Sequence, residues 1–478
     1  MKKLIALLLA LVMVLGLVAC GGGNAPAADA PAADAPAADK PAADAPAADA
    51  PSDSGKTVLN LWSFTDEIPK MVDKYLELNP DFAEKYEVKT TIIATTDGLY
   101  QPALDQALAA GGADAPDLYA AEAAFILKYA QGDAAKFAAP YEDLGIDVAA
   151  DIAAADIAQY SVEIGTRPDD GKVVALGYQA TGGAFIYRRS IAKDVWGTDD
   201  PAVVAEKIGA GSGNWDQFYA AAAELKAKGY GIISGDGDLW HAVENSSDAG
   251  WIVDGKLTID PKREAFLDLS KELKDNGYHN DTTDWTDAWY ADMKDAGEKG
   301  VLGFFGPAWL INYVMAGNSG GTKAGEGTYG DWAVCAPPVG FFWGGTWLLA
   351  NNDSPNKEAV GKIIEWITLD ATENGLQYKW ANGTLNGEDG TKDSVASGTV
   401  MAVSNGELEF LGGQNMFDAF VPANAYANGK CLTQYDETIN SYWRDAVRQY
   451  TGGEMSREDA IAFFKQQVAD NLDVEVEF

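Results

Sequence analysis

The stretch LNLWSFTDEIPKMVDKYLELNP, residues 59–80, decides the fold. Its first apolar residues predict a β-strand. The residues that follow predict an amphipathic helix, because apolar side chains recur there at intervals of three and four. These apolar positions are Ile68, Met71, Val72, Tyr75 and Leu76. The run YEVKTTII (residues 86–93) predicts a second strand, so the segment as a whole predicts a βαβ unit and a parallel sheet.

A short turn separates the first strand from the helix, and it carries Phe64, Asp66 and Glu67. In open α/β sheets, ligands bind outside the carboxyl ends of the strands. The position of this turn therefore predicts that the three side chains line a ligand-binding site.

The same alternation of strand and helix patterns continues through the rest of the chain. Apolar runs such as KVVALGY, AFIYR, VLGFF, WAVCAPP and TWLLA predict strands, and periodic segments such as WDQFYAAAAELKAKG predict helices between them. The chain has 478 residues, of which 47% are hydrophobic, so its length suits about two or three domains. The predicted fold class is α/β throughout.

The balance of charges restricts the classes of partner. The formal net charge is −37, with 72 acidic against 35 basic residues. Nucleic acids and anionic lipids bind to concentrated Lys and Arg, so we expect neither as a partner. His241 and His279 are the only histidines, which argues against a zinc site or a histidine-based catalytic dyad. We expect no metal and no cofactor.

The amino-terminal residues predict export. Residues 1–19 read as a secretory signal, with two lysines followed by the apolar run LIALLLALVMVLGLVA. The signal ends in LVAC, which resembles the lipobox of bacterial lipoproteins, in which the cysteine receives a diacylglycerol. Cys20 is then the lipid-bearing residue, and fatty acyl chains such as palmitate anchor the protein on the extracellular face of the cell membrane. The alternative is an ordinary signal peptide with a chance cysteine.

A low-complexity segment follows the signal. Residues 20–55 consist mainly of a five-residue Ala/Pro/Ala/Ala/Asp repeat, which contains almost no large apolar side chain. Proline blocks a long helix and the aspartates repel one another, so the segment predicts a disordered tether rather than a domain.

Several motifs, taken in order, resemble one protein family. They are ADAPDLYAAE (residues 113–122), GKVVALGYQATGGAFIYRRSI (171–191), GNWDQFYAAAAELKAKGYGI (213–232), EKGVLGFFGPAWL (298–310) and FFWGGTWLLANNDSPNKEAVGKIIEWIT (341–368). Together with the opening strand and helix, they resemble the extracellular solute-binding proteins of ABC sugar importers, the class of the maltose-binding protein. The resemblance covers nearly all of residues 56–478.

This resemblance implies a two-lobed fold of the periplasmic-binding-protein type II, with a hinge and with each lobe discontinuous in sequence. The implied first lobe is residues 56–180 and 343–404, and the implied second lobe is residues 181–342 and 405–478. A carbohydrate, of oligosaccharide size, would bind in the cleft, and the closed lobes would deliver it to the membrane permease. The resemblance implies a monomeric binding protein and not an enzyme.

Residue types suited to a sugar suggest which side chains bind it. Indole rings stack on the apolar face of a pyranose, and carboxylates or amides accept hydrogen bonds from its hydroxyls. The aromatic candidates are Trp240, Trp285, Trp309, Trp343 and Trp443, with Phe64. The polar candidates are Asp66, Glu67, Glu122, Gln179 and Asp436. The family places polar sugar ligands at the positions of Asp66 and Glu67 and a stacking tryptophan near Trp309.

Several of these assignments keep a structural alternative. Each tryptophan can instead belong to the core, and Trp285 shares this ambiguity with Trp289, four residues further on. Glu122 can be a solvated helix end, and Asp436 can cap its own helix. Glu67 stands where the maltose-binding pattern has lysine, which puts maltose itself in doubt.

Other functions remain open at this point. A surface glycoside hydrolase needs two carboxylates at a set separation, and counting acids does not exclude such a pair. A binder of polyamines or peptides on the same architecture would suit acidic residues in the cleft. An adhesive surface lipoprotein would bind no small ligand.

Overall fold

The computed structural model describes residues 55–95, 98–385, 390–429 and 431–478. The predicted signal, Cys20 and the tether up to residue 54 lie outside the described residues.

The strands of the described part fall into two main sheets and two short hairpins. They are β1 (Thr57–Ser63), β2 (Tyr86–Ile92), β3 (Leu118–Glu122), β4 (Leu176–Gly177), β5 (Ala184–Arg188), β6 (Ile252–Val253), β7 (Lys256–Leu257), β8 (Gly303–Gly306), β9 (Trp332–Cys335), β10 (Thr346–Ala350), β11 (Glu407–Leu408) and β12 (Gln414–Asn415). One sheet has five strands in the order β2-β1-β3-β10-β4, and the other has three in the order β8-β5-β9. The hairpins pair β6 with β7 and β11 with β12.

The α-helices lie between the strands along the chain. They are α1 (Glu67–Leu78), α2 (Pro80–Ala83), α3 (Tyr100–Ala110), α4 (Ile126–Ala130), α5 (Val148–Ala155), α6 (Gln159–Gly165), α7 (Arg189–Trp196), α8 (Pro201–Ile208), α9 (Asp216–Ala227), α10 (Gly237–Asn245), α11 (Pro261–Asp275), α12 (Asp287–Met293), α13 (Ala316–Asn318), α14 (Lys357–Thr368), α15 (Leu376–Ala381), α16 (Gly398–Met401), α17 (Phe417–Ala423), α18 (Asp436–Thr451) and α19 (Arg457–Asn471). A π-helix, Leu310–Met315, precedes α13. Short 3-10 turns occur at Ala135–Phe137, Tyr141–Leu144, Glu409–Leu411 and Asn424–Tyr426.

The opening segment folds as its pattern predicts. Strands β1 and β2 pair in parallel from Thr57 opposite Tyr86 to Ser63 opposite Ile92, with α1 between them in sequence. Ile68 and Met71 are among the α1 side chains that are buried against the sheet. Strand β10 joins the same sheet antiparallel to β3 and β4, so the sheet is mixed.

Each main sheet anchors one lobe. We call the part built on the five-stranded sheet the first lobe and the part built on the three-stranded sheet the second lobe. In β5, Phe185 and Tyr187 point into one core and Ala184 and Ile186 into another, so both faces of that sheet are covered. Both lobes are assembled from separate stretches of sequence, and the fold is therefore a two-lobed α/β fold with discontinuous lobes.

Two chain segments that run side by side connect the lobes. Between β4 and β5, Gly183 donates its N–H to the carbonyl of Phe341 (2.8 Å), and Trp343 donates to the carbonyl of Thr181 (3.0 Å). The hydroxyl of Thr181 also donates to the carbonyl of Gly344 (2.9 Å). The segment from β9 to β10 is therefore hydrogen-bonded to the segment from β4 to β5 where both pass between the sheets. The lobe boundaries at residues 180, 342 and 404 stay a prediction.

Three further observations concern the described residues. Cys335 is buried, Cys431 is half-buried, and neither forms a disulfide. No helix in the described ranges is both long enough and apolar enough to span a bilayer. No group of three or more His, Cys, Asp or Glu side chains in the same ranges is placed to hold a metal ion.

Candidate ligand-binding site

Three tryptophans from separate segments meet beside the segments that connect the lobes. The ring centroids of Trp309 and Trp343 lie 4.8 Å apart in an edge-on arrangement, and those of Trp285 and Trp343 lie 5.9 Å apart. The indole N–H of Trp309 donates to the carbonyl of Trp343 (3.0 Å). The sequence-predicted residues Trp285, Trp309 and Trp343 therefore form one aromatic cluster.

A glycine makes room for this cluster. Gly344 has φ +74°, and a Cβ added to it would lie 3.3 Å from the ring of Trp309. Left-handed backbone and close approach both favour glycine at this position. The glycine thus allows the indole of Trp309 to lie directly against the connecting segment.

Trp285 is the exposed member of the cluster. Its residue is 53% exposed, whereas Trp289, the other candidate of that pair, is 1% exposed and lies in the core. Trp285 also has φ +65°, a conformation that bulky side chains rarely adopt. Strained backbone of this kind is concentrated at functional sites, where the surrounding structure holds it in place.

His241 adds an imidazole ring to the cluster. The imidazole stacks on the ring of Trp343 with centroids 3.7 Å apart and planes 15° from parallel. Burial, and then the nearby charge of Arg444, lower the pKa of His241 well below its ordinary value. The ring is therefore neutral at pH 7. Its Nε2 atom lies 3.9 Å from a carboxylate oxygen of Asp284 and has no hydrogen-bond partner in the described part of the chain.

Helices α10 and α18 of the second lobe present polar side chains next to these rings. Both helices pack on α11, and α10 also packs on β8. On α18, Asn440 donates its amide to the carboxylate of Glu244 on α10. Arg444, one turn further along α18, donates to Asp284 (3.1 Å).

Glu122 brings a carboxylate from the first lobe towards the same helices. It ends β3, and its carboxylate accepts a hydrogen bond from the backbone N–H of Ala124 (2.8 Å). Burial raises the pKa of Glu122 to about 7, and repulsion from Glu437 and Glu244 adds to this rise. Carboxylates from both lobes therefore lie close enough to influence one another's protonation.

The two lobes also contact each other through side chains close to Glu122. Gln101, on α3 of the first lobe, donates to Glu437 on α18 (3.1 Å). Burial raises the pKa of Glu437 as well, while the hydrogen bond from Gln101 lowers it.

The turn after β1 sends its three candidate side chains in different directions. Phe64 is half-buried and packs edge-on against Tyr100 (5.8 Å between centroids). Asp66 is exposed and pairs with Lys70 (2.6 Å). Glu67 accepts a hydrogen bond from the hydroxyl of Tyr313 in the second lobe.

Four other candidates lie away from the exposed aromatic surface, and two of them are tryptophans. Trp240 is 2% exposed and packs against Trp251 and Phe266, while Trp443 is fully buried. Both belong to the core of the second lobe, because each lies on the inward face of its helix.

The two polar candidates are also buried. Gln179 donates to Asp393 (3.1 Å). Asp436 accepts from the hydroxyl of Thr433 (2.6 Å), and burial raises its pKa to about 7. The side chain of Asp436 does not cap its own helix, whose cap residue is Tyr435.

The structure also brings forward residues that the sequence analysis did not select. They are Gln101, His241, Glu244, Asp284, Tyr313, Glu437, Asn440 and Arg444. A helical signal was present for most of them, since Glu437, Asn440 and Arg444 follow one another at spacings of three and four. Trp240 and Trp443 lie on the buried faces of α10 and α18. Their sequence neighbours His241 and Arg444 therefore lie next to those faces.

A two-lobed α/β fold with an aromatic and polar surface between its lobes is typical of solute-binding proteins. Residues 62–374 match the model of the family described as bacterial extracellular solute-binding protein. The chain belongs to this family.

Solved structures share the fold across nearly their whole length. The galacto-N-biose/lacto-N-biose I-binding protein of an ABC transporter from Bifidobacterium longum has a TM-score of 0.64 and 16% identity, over 89% of this chain and 100% of that one. The sugar-binding protein MalE from Xanthomonas citri has a TM-score of 0.64 and 14% identity, over 87% and 97%. The GacH receptor of Streptomyces glaucescens has a TM-score of 0.59 and 17% identity, over 87% and 99%. A comparison with curated protein sequences gives no match.

Proposed function

We propose that this protein is the extracellular receptor of an ABC importer and that it captures a carbohydrate, of oligosaccharide size, between its lobes. The observation that carries the proposal is the cluster of Trp285, Trp309 and Trp343, with an indole exposed at the place where the lobes are connected. An exposed indole held in a strained backbone conformation suits a stacking platform for a pyranose.

The polar surroundings fit the same ligand. Glu122 from the first lobe and Glu244 and Glu437 from the second can accept hydrogen bonds from sugar hydroxyls. The similar structures support this class of ligand, because they were solved as binding proteins for lacto-N-biose, acarbose and cyclic α-maltosyl-1,6-maltose.

In this proposal the protein binds and does not catalyse. The implied lobes, residues 56–180 with 343–404 and residues 181–342 with 405–478, close on the sugar and present it to the membrane permease. The receptor acts as a monomer and stays at the membrane through lipidated Cys20. Exchanging Cys20 for alanine should then release the protein into the medium, which membrane fractionation measures.

The chain of carboxylates favours a second candidate, a cationic solute such as a polyamine or a basic peptide. Glu122, Glu244 and Glu437 would suit an ammonium group, and the aromatic faces would attract it as well. Arg444, however, lies on α18 itself, and its positive charge near Glu244 disfavours a cationic ligand.

Calorimetry of the purified chain against neutral glycans, polyamines and short basic peptides tests the proposal. We expect one-to-one binding of a neutral di- or oligosaccharide with micromolar affinity, since an import receptor must also release its cargo. Heat from a polyamine alone would favour the second candidate, and release of hydrolysed product from a glycan would point to an enzyme. If none of the panel produces heat, the proposed receptor function is wrong.

A further inference from the structure

A pair of side chains joins the two lobes directly. Glu67 begins α1 of the first lobe, and Tyr313 lies on the π-helix of the second lobe, 246 residues further along the chain. The hydroxyl of Tyr313 donates to the carboxylate of Glu67. Tyr313 is 47% exposed, so the contact is not a consequence of core packing.

The π-helix is placed to make this contact. Trp309 of the aromatic cluster immediately precedes it, and Tyr313 follows four residues later. A π-helix has a wider turn than an α-helix, and such segments often occur at functional sites. Asn312, next to Tyr313, donates to the backbone carbonyl of Lys392, which belongs to the implied first lobe. The π-helix therefore contacts that lobe through two adjacent residues.

We propose that the Glu67–Tyr313 hydrogen bond is a proton-sensitive latch that holds the lobes together independently of any ligand. Glu67 then acts on lobe closure through Tyr313 rather than as an acceptor for the solute. The latch does not depend on what the cleft binds.

The electrostatic surroundings of Glu67 determine how the latch responds to pH. Burial raises the pKa of Glu67 to about 7, the hydrogen bond from Tyr313 lowers it, and the adjacent charges of Asp66 and Lys70 act in opposite senses. Asp393 also faces this group. Burial raises the pKa of Asp393 to about 8, the hydrogen bond from Gln179 lowers it, and the charge of Glu67 adds to the rise.

The sign of the pH response follows from these shifts. When the lobes separate, Glu67 returns to water and its pKa returns towards 4.5. The closed form therefore binds a proton more tightly than the open form, and closure becomes more favourable as the pH falls from 8 to 6. The ratio of closed to open protein should rise by up to about tenfold over this interval.

Spin-label distance measurements on the full chain without ligand test the latch. Labels at the exposed residues Glu77 and Gln466, on a Cys431→Ser background, report the separation of the lobes. In the parent protein, which keeps Glu67 and Tyr313, we expect the fraction of closed molecules to increase from pH 8 to pH 6. Glu67→Gln, which keeps an acceptor for Tyr313 but carries no charge, should be as closed at pH 8 as the parent is at pH 6.

Two further variants complete the experiment. Tyr313→Phe removes the donor and should lower the ratio of closed to open protein about fivefold at pH 8. Asp73→Asn changes an exposed carboxylate further along α1 and should behave as the parent does. A Glu67→Gln protein that keeps the full pH response, or a Tyr313→Phe protein with the parent's distances, would overturn the latch. Because no ligand is present, neither result bears on whether the cleft binds a sugar.

Discussion

The ring planes of Trp285 and Trp309 lie 7° from parallel, with centroids 6.2 Å apart. The two residues come from different segments of the second lobe. The ring of Trp343 is arranged edge-on to both of them. Rigid aromatic surfaces of this kind lose little conformational entropy when a ligand binds, because their rings are already positioned by one another. The cluster therefore offers a pre-organised aromatic surface.

Trp285→Gly should weaken sugar binding without weakening the fold. Loss of roughly 60–100 Å² of apolar contact costs about 1.5–2.5 kcal/mol, which lowers affinity by about ten- to sixtyfold. Glycine also accepts the φ of +65° without strain, so the melting temperature should stay the same or rise slightly. Calorimetry and thermal unfolding measure the two effects.

The control for this variant is Trp196→Ala. Trp196 is a half-buried indole on α7 that hydrogen-bonds to Glu224, away from the cluster. Its exchange should leave sugar affinity unchanged. Equal losses of affinity in both variants would mean that the exposed indole of Trp285 is not the stacking surface.

Gly344→Ala should disturb Trp309 specifically. The new methyl group would lie 3.3 Å from the indole, and alanine would have to adopt φ +74°. We expect a loss of about 1–2 kcal/mol in the free energy of unfolding, together with weaker sugar binding. Denaturant titration and calorimetry provide the measurements.

Gly317→Ala is the matched glycine control. A Cβ at Gly317 has no heavy atom within 4 Å and the residue does not have a positive φ. It should leave sugar affinity unchanged and raise the free energy of unfolding by about 0.4–1 kcal/mol, because alanine suits the helical backbone better than glycine. If Gly344→Ala behaves in the same way, the close approach between residue 344 and Trp309 has no role in the site.

Local patterns were sufficient for the α/β class but only partly for the site. The apolar spacing from Ile68 onwards predicted α1, and the alternation of elements predicted the α/β class, because both depend on neighbours in sequence. The contact between Glu67 and Tyr313 joins residues 246 positions apart, and no local pattern contains that information.

The burial of Trp240 and Trp443 has one physical origin. Residue type suggested a stacking role, but the phase of an amphipathic helix decides which side chain points inward. Leu239 and Ala242 flank the buried face that includes Trp240, so the polar face begins at His241. The phase of the two helices places the sequence neighbours of these tryptophans, His241 and Arg444, on the partly exposed face.

Trp443→Phe tests whether this indole acts in the core rather than in the site. Trp443 packs against Phe464 (4.9 Å between centroids), and its indole N–H has no hydrogen-bond partner among the described residues. The smaller ring should leave a cavity and lower the free energy of unfolding by about 1–3 kcal/mol. Sugar affinity should stay within about twofold at a temperature where both proteins are folded. A large loss of affinity with unchanged stability would return Trp443 to the site.

Glu122→Gln should make the stability of the protein less dependent on pH. The pKa of Glu122 rises from 4.5 to about 7 in the folded chain, mainly because of burial, so the ionised form opposes folding. A group that binds protons more tightly when folded stabilises the fold progressively as the pH falls from about 7 towards 4.5.

The neutral amide removes this cost while it still accepts the N–H of Ala124. Because Glu122 is only half-buried, we expect an effect of about 1 kcal/mol, or about 2 °C in melting temperature, at pH 8. The difference between the two proteins should shrink towards zero near pH 4.5. Melting curves at pH 8, 6.5 and 5 distinguish this outcome from a constant offset, which would show that the ionisation of Glu122 does not oppose folding. Glu163→Gln, on α6, supplies a carboxylate control for the same series.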